Sequence, residues 1–154
     1  MKQSRIFLVS LVIMAGLLFA GGINTAAAVT TNVWYTTPAD CERVQEKAKK
    51  EDKSFILFFY VDWCGYCKRL KKDFLEKPEV EQVLAKYYRV KINPETGKEE
   101  QALATKYGVH GFPNFLVVRP DGSKVRIHPF KRGGKVWTVE EFIANLEAAM
   151  ANKG

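Results

Sequence analysis

The chain has 154 residues, which is enough for one ordinary domain behind a short leader segment. Its formal net charge is +7, but the basic residues are interspersed with acids, as where Lys68 to Lys72 precede Asp73 and Glu76. This pattern is typical of solvated helix faces, so we expect no nucleic-acid partner. Three cysteines are too few for a disulfide-stapled scaffold, so a hydrophobic core must stabilise the fold.

The N-terminus has the pattern of a secretory signal peptide. Two basic residues precede an uncharged apolar run over Ile6–Ala20, and Ala26–Ala28 supplies the small residues of a cleavage site. The run is shorter than the roughly 20 residues that cross a bilayer, although an uncleaved membrane anchor remains the alternative. We therefore predict a signal peptide over residues 1–28, a mature domain over residues 29–154, and export, which means the periplasm in a bacterium with two membranes.

Residues 29–37 form a polar lead-in, after which helical and strand patterns alternate. The predicted elements are a helix over Pro38–Lys50, a strand over Phe55–Val61, a helix from Cys64 that Pro78 interrupts, a resumed helix over Glu79–Lys86, a strand over Tyr87–Ile92, a helix over Lys98–Tyr107, strands over Phe115–Val118 and Lys124–Phe130, and a last helix opened by the capping box Thr138–Glu141. Strands that alternate with helices and end in a hairpin predict an α/β fold, with a central mixed β-sheet and helices on both faces.

Two elements carry more detailed predictions. Phe55–Val61 is a continuous apolar run, as expected for a strand that is covered on both faces. In the helix over Lys98–Tyr107 we expect Ala102, Leu103 and Tyr107 to face the core, and Gly108 to cap the helix at its C-terminus.

The most informative local feature is the pair Cys64 and Cys67. Cys64 lies where a predicted strand leads into a helix, so free N–H groups and the helix macrodipole should lower its thiol pKa and raise the thiolate fraction. Cys67 lies one turn further on the same helix face and can close a disulfide. We predict that Cys64 is the nucleophile that attacks a partner's disulfide and that Cys67 resolves the mixed disulfide.

A Cys-x-x-Cys pair also occurs in sites of other kinds. A structural zinc site needs further ligands, and the chain offers only His110 and His128, without zinc-finger spacing. A two-thiolate copper(I) site and an inert structural disulfide remain alternatives. The strand before the pair and the helix after it favour redox chemistry, so we expect no metal and no other cofactor.

Two segments resemble motifs of the thioredoxin superfamily. Trp63–Lys68 (Trp-Cys-Gly-Tyr-Cys-Lys) resembles the family's W-C-G-P-C-K, and Gly108–Asn114 (Gly-Val-His-Gly-Phe-Pro-Asn) resembles its G-x-x-G-x-P-T segment. The resemblance covers roughly Pro38 to the C-terminus, and it is closest to exported bacterial thioredoxin-like proteins that service periplasmic thiols. It implies a thioredoxin-like fold and a thiol–disulfide oxidoreductase that reduces or isomerises disulfides of exported proteins.

The resemblance also implies roles for residues around the cysteines. Pro113 is expected to be a cis-proline that follows Phe112 and faces the active site, beside backbone that pairs with a substrate strand. Trp63 is expected to form a wall beside the cysteines, with an ordinary core position as the alternative. Gly65 and Tyr66 separate the two cysteines, and Tyr66 is expected to be exposed at the start of the helix.

The sequence departs from the family pattern at three places. Gly65-Tyr66 replaces the common Gly-Pro dipeptide, which influences the redox potential, and Asn114 replaces threonine. Thioredoxins carry a buried acid six residues before the first cysteine, whereas this chain has Phe58 there. The buried proton acceptor is therefore missing, unless Asp62 or Glu76 substitutes for it.

The third cysteine and the partners complete the predictions. Cys41 is expected to be a packed or semi-exposed free thiol that the reaction does not need.

The expected partners are protein thiols and disulfides and, because no nucleotide-binding motif is present, a membrane-bound thiol reductant. The protein is expected to be a monomer. Two other functions remain open: a non-catalytic peptide- or copper-binding module, and a disulfide-forming oxidase, although such oxidases commonly carry a helical insertion that is not visible here.

Overall fold

The computed structural model describes residues 33–130 and 135–151. Its strands are β1 (Trp34–Tyr35), β2 (Phe55–Phe59), β3 (Arg89–Ile92), β4 (Asn114–Val118) and β5 (Lys124–Ile127). Its helices are α1 (Pro38–Lys50), α2 (Gly65–Leu70), which continues as a π-helical turn over Lys71–Leu75, α3 (Pro78–Leu84), α4 (Lys98–Lys106) and α5 (Val139–Met150). The predicted signal peptide over residues 1–28 lies outside the described residues and stays a prediction.

The five strands form one mixed sheet in the order β1-β3-β2-β4-β5. β3 runs parallel to both β1 and β2, whereas β4 runs antiparallel to β2 and forms a hairpin with β5. β2 is the central strand, and all five of its residues are buried, as its apolar run predicted. Because Phe59 at the end of β2 pairs with Asn114 at the start of β4, both residues lie at one edge of the sheet.

Helices cover both faces of the sheet, as predicted, and create two separate cores. Ile56 and Phe58 of β2 contact the first core, which α2, its π-helical turn, α3 and α5 complete. The alternate residues of β2 contact the second core, which α1 and α4 complete. Cys64 and Cys67 belong to the first core and Cys41 belongs to the second, so the sheet separates Cys41 from the pair.

Local signals in the sequence fix the ends of several helices. At the start of α1, the Thr37 Oγ1 accepts a hydrogen bond from the Asp40 N–H at 3.1 Å. At the start of α5, the Glu141 N–H donates to Thr138 Oγ1 at 3.1 Å and the Thr138 N–H donates to Glu141 Oε2 at 3.0 Å, which is the predicted capping box. Gly108 follows α4 with a φ of 68°, the left-handed conformation that suits the predicted C-cap glycine.

The description of residues 29–37 as only a polar lead-in is wrong for its described part. Trp34 and Tyr35 form the edge strand β1, which pairs with Arg89 and Val90 of β3. A strand of two residues has no recognisable hydrophobic alternation. Its pairing therefore depends on the position of β3 in the folded chain.

Several other predicted elements differ from the structure at their ends. The predicted strands were too long, because backbone pairing ends before the apolar pattern does. β2 ends at Phe59 rather than Val61, and β3 begins at Arg89 rather than Tyr87. β5 ends at Ile127, and Phe130 pairs instead with Val136 in an isolated bridge. The resumed helix, predicted over Glu79–Lys86, is α3, which spans Pro78–Leu84 because Pro78 suits the first turn of a helix.

One predicted core position in α4 is also wrong. Ala102 is exposed, whereas Ala104 is buried beside Leu103 and Tyr107. Residues 103, 104 and 107 lie on one side of a helix with 3.6 residues per turn, and residue 102 lies about 100° away from residue 103. The error is a small rotation of the predicted apolar stripe.

We expect Thr138→Ala to lower the free energy of unfolding by about 1 kcal/mol, because it removes the side-chain oxygen that caps α5. Thr138→Ser keeps that oxygen and serves as the control, which should lie close to the unmodified protein. Urea unfolding of the three proteins measures the difference. Equal stability of the Ala and Ser variants would show that the capping box contributes nothing.

Candidate functional site

The two predicted redox cysteines lie at the start of α2. Cys64 is the N-cap residue, and its Sγ accepts a hydrogen bond from the Cys67 N–H at 3.0 Å. The two side chains form a disulfide, with their Cα atoms 5.2 Å apart. In the reduced state, the same N–H group and the helix N-terminus favour negative charge on the Cys64 sulfur. The junction of strand and helix that the sequence predicted is therefore present.

The disulfide is buried, whereas the aromatic residues that directly precede the two cysteines are exposed. Cys64 is 5% exposed and Cys67 is 2% exposed, whereas Trp63 is 70% exposed and Tyr66 is 57% exposed. A Cβ atom added at Gly65 would meet nothing within 4 Å, so the space beside this glycine is open. A protein that reaches the Cys64 sulfur must therefore pass close to both rings.

The loop after β3 holds the residues that precede Cys64. Trp63 Nε1 donates to the Glu95 carboxylate, at 3.0 Å to Oε1 and 3.1 Å to Oε2. Asn93 Nδ2 donates to Asp62 Oδ2 at 3.2 Å, and Asn93 Oδ1 accepts from the Glu95 N–H at 3.0 Å. Trp63 is thus exposed and held by hydrogen bonds to Glu95. The alternative prediction, that Trp63 is an ordinary core residue, is wrong.

Sequence reasoning missed Asn93 and Glu95 as members of the site. Both residues lie between the predicted strand over Tyr87–Ile92 and the predicted helix over Lys98–Tyr107, far from the cysteines along the chain. The signal that could have found them is the position of the turn directly after β3, because β2 and β3 are parallel neighbours and their carboxyl ends meet at one edge of the sheet.

On the other side of the cysteines, Tyr66 belongs to an aromatic and cationic cluster. Its ring lies 5.3 Å from the Phe130 ring, centroid to centroid. The Arg69 guanidinium carbon lies 5.9 Å from the Tyr66 centroid and 5.1 Å from the Phe130 centroid. The predicted exposure of Tyr66 is confirmed, but no feature of the sequence indicated that Phe130 would contact it.

The Phe112–Pro113 peptide bond is cis, as the resemblance implied. Pro113 precedes Asn114, which pairs with Phe59, so the proline lies at the sheet edge from which the loop to Cys64 departs. Phe112 packs against both cores. Contact of Phe112 and Pro113 with a substrate stays a prediction.

The surroundings of Cys67 contain no buried acid among the described residues. Phe58 occupies the position at which thioredoxins carry one, and it is buried in the same apolar core as Cys67. Asp62 and Glu76 are exposed and line, with Phe58, a cleft of about 530 Å³. Neither residue therefore replaces the missing acid as a buried group.

Cys41 is a buried free thiol, which confirms the prediction that it is packed and unpaired. It lies on α1 in the core on the opposite face of the sheet from Cys64. Burial raises the pKa of the Cys41 thiol to about 11, although a hydrogen bond with Tyr107 works in the opposite direction. At neutral pH this thiol is therefore protonated and unreactive.

Within residues 33–130 and 135–151, no group of three or more His, Cys, Asp or Glu side chains is arranged to hold a metal ion. None of the helices in this part of the chain combines the length and the apolar character of a bilayer-spanning helix.

Comparison with known proteins identifies the family. The model of the thioredoxin-like domain family matches residues 42–149, which is most of the chain. The chain belongs to the thioredoxin-like family. The predicted membership of the thioredoxin superfamily and the predicted fold class are therefore confirmed. The motifs around Cys64 and Pro113 lie in the matched region.

Individual relatives are similar to parts of the chain. The thiol:disulfide interchange protein DsbD of Neisseria meningitidis is 36% identical over 94 residues, which cover 58% of this chain and 16% of that protein. A protein disulfide-isomerase of Ricinus communis is 35% identical over 77 residues, covering 46% of this chain and 14% of that protein. The chain thus spans about a sixth of the length of these curated relatives.

Solved structures match more completely. The oxidised C-terminal domain of Neisseria meningitidis DsbD superposes with a TM-score of 0.61 and 30% identity, covering 76% of this chain and 99% of that domain. The reduced form of the same domain gives a TM-score of 0.60 and 33% identity, covering 75% of this chain and 98% of that domain. The similarity therefore concerns this one domain of a longer protein.

We expect Cys64 of the reduced, folded protein to be alkylated by iodoacetamide at pH 7 to 9, while Cys41 stays unmodified. The reason is that burial hides Cys41 and raises its pKa to about 11, so its thiolate is scarce throughout this range. Peptide mapping by mass spectrometry measures the order of modification. In denaturant all three cysteines should react, and comparable labelling of Cys41 and Cys64 in the folded protein would contradict the expectation.

Proposed function

We propose that this chain is a thiol–disulfide oxidoreductase in which Cys64 is the nucleophile and Cys67 is the resolving cysteine. The observation that carries the proposal is the Cys64–Cys67 disulfide at the N-terminus of a helix that follows the central strand of a thioredoxin-like domain. The relatives named thiol:disulfide interchange protein and protein disulfide-isomerase support the same class of reaction.

In the reducing direction, the reaction proceeds in two exchange steps. The Cys64 thiolate attacks one sulfur of the partner's disulfide, and the other partner sulfur leaves as a thiolate. Cys67, deprotonated, then attacks the Cys64 sulfur, the bond from Cys64 to the partner breaks, and the second partner sulfur leaves. Two electrons have passed to the partner, and the Cys64–Cys67 disulfide remains. The Cys67 N–H, 3.0 Å from the Cys64 Sγ, stabilises the thiolate that begins the sequence.

The residues around the pair have supporting roles in this proposal. Trp63 and Tyr66 contact the partner from both sides of Cys64, and Gly65 leaves room for it. Phe112 and the cis-proline Pro113, at the same edge of the sheet, present backbone to an extended segment of the partner. Such a contact would orient the partner's disulfide toward Cys64.

We further propose that the physiological direction is reduction or isomerisation of disulfides in exported proteins, by a monomer. The predicted signal peptide supports export, and Gly65 and Lys68 match reducing members of the family. The electrons would come from a membrane-bound thiol reductant. The similarity to about a sixth of the length of DsbD, a thiol:disulfide interchange protein, supports a role of this kind.

Two other functions make different predictions. A non-catalytic peptide-binding module would retain its function without Cys67, whereas a dithiol enzyme would not. A two-thiolate copper(I) site would also need Cys67, but it would bind the metal without turning over a disulfide. A disulfide-forming oxidase would use the same cysteines in the opposite direction, and it differs from a reductase in reduction potential.

We expect Cys64→Ser to lower the rate of disulfide reduction on the order of a thousandfold or more, because it removes the nucleophile. Cys67→Ser should instead accumulate a mixed disulfide between Cys64 and the partner, because the second exchange step is blocked. Cys41→Ala is the control and should keep the activity, since Cys41 lies on the other face of the sheet. Full turnover by the Cys67→Ser variant would contradict the dithiol mechanism.

The reduction potential of the Cys64–Cys67 pair tests the direction. Equilibration of the mature domain against thiol–disulfide buffers should give a value between about −270 mV, as in thioredoxin, and about −180 mV, as in protein disulfide isomerase, rather than about −120 mV, as in a strong oxidant. The fraction of oxidised protein can be measured by alkylation and mass spectrometry. A value near about −120 mV would contradict the proposed direction and would support a disulfide-forming oxidase instead.

A further inference from the structure

The two aromatic rings beside Cys64 are each held by a charged side chain, and the two charges are opposite. On one side, Trp63 donates its Nε1–H to the exposed carboxylate of Glu95. On the other side, the rings of Tyr66 and Phe130 lie beneath the guanidinium of Arg69. Glu95 follows β3 and Phe130 follows β5, and these two strands lie on opposite sides of β2, the strand that leads to Cys64. The disulfide therefore lies between an anionic rim at Glu95 and a cationic rim at Arg69.

The cationic rim is not neutralised by its neighbours. Lys68 and Arg69 are the charged side chains of α2, and the first acid after them in the chain is Asp73. Arg69 Nε lies 3.5 Å from Asp73 Oδ2, with both side chains well exposed. An exposed pair of this kind is weak, commonly a few tenths of a kcal/mol, so the excess positive charge persists.

Arg69 is well suited to receive a carboxylate from another protein. Its guanidinium rests on two rings, which limits its conformations before a partner arrives. The group carries five N–H donors in a planar fork, and its side chain is 52% exposed. A partner carboxylate can therefore form charge-assisted hydrogen bonds here without first ordering a flexible side chain.

The anionic rim is equally fixed. Glu95 is held by the Trp63 indole and by its own N–H, which donates to Asn93 Oδ1. Asp62, the residue before Trp63, is exposed and accepts from Asn93. Because Lys71 and Lys91 line the same cleft as Asp62, Glu95 is the carboxylate that would repel an acidic partner residue and attract a basic one on the Trp63 side.

From this arrangement we propose that the site selects protein disulfides whose reacting cysteine lies between an acidic and a basic residue. The acidic residue contacts Arg69 beside Tyr66, and the basic residue contacts the Glu95 side beside Trp63. The inference names the substrate class of the proposed oxidoreductase and therefore rests on that function. It concerns recognition only, and the exchange steps are those already described.

Two peptide disulfides of identical composition test the order of charges. Each contains the same internal disulfide loop, and the attacked cysteine is flanked by glutamate then lysine in one peptide and by lysine then glutamate in the other. Because the net charges are equal, a difference in rate cannot come from overall attraction. The reduced protein is mixed with each peptide, and acid-quenched samples are alkylated to measure the second-order rate constant for oxidation of the Cys64–Cys67 dithiol.

We expect one peptide to react about tenfold faster than the other at low ionic strength, and the ratio to fall towards one in high salt. Arg69→Glu should abolish or invert the preference, and Arg69→Gln, which removes the charge with less disturbance near Asp73, should reduce it. Arg69→Lys keeps the charge and should keep most of the preference. Lys49→Glu makes the same charge change on α1, across the sheet, and should leave the ratio unchanged.

The outcomes separate the two proposals. Equal rates for both peptides, or a preference that Arg69→Glu and Lys49→Glu alter equally, would overturn the charge-order inference while the oxidoreductase function stands. If the reduced protein oxidised with neither peptide, the proposed function itself would fail, and the inference with it.

Discussion

The burial of β2 on both of its faces is the constraint on which the site depends. Its five apolar residues can be shielded from water only if helices cover the sheet on both sides, which creates the two cores. The chain leaves this strand at the carboxyl edge of the sheet and turns at once into α2. Cys64 therefore becomes the N-cap of a helix that Cys67 and Leu70 anchor in the first core.

The same architecture gives two cysteine environments in one small domain. Cys64 and Cys67 lie at the end of the sheet, recessed but bordered by open space and exposed rings. Cys41 lies inside the second core, where desolvation raises its pKa to about 11. Reactivity thus follows from position rather than from residue type, because a thiol attacks only as a thiolate that a partner can reach.

The apolar character behind Cys67 distinguishes this domain from the thioredoxin pattern. Phe58 packs with Trp34 and stacks on Tyr60, so an aromatic cluster fills the place of a buried acid. The carboxylates of Asp62 and Glu76 remain exposed at the adjoining cleft. Deprotonation of Cys67 in the proposed cycle must accordingly rely on solvent or on the departing thiolate of the partner.

The sequence by itself determined the fold class, the two-sided burial of β2, the helix caps at Thr138 and Gly108, and the position of the cysteine pair at a helix start. These properties depend on local composition and periodicity, which short segments carry on their own. Only the tertiary structure decided that Trp34–Tyr35 is a strand, that Glu95 holds Trp63, and that Phe130 and Arg69 pack on Tyr66. These contacts join residues from different elements of the chain, and a single sequence contains no periodic signal for them, because they arise only when the sheet brings its edges and loops together.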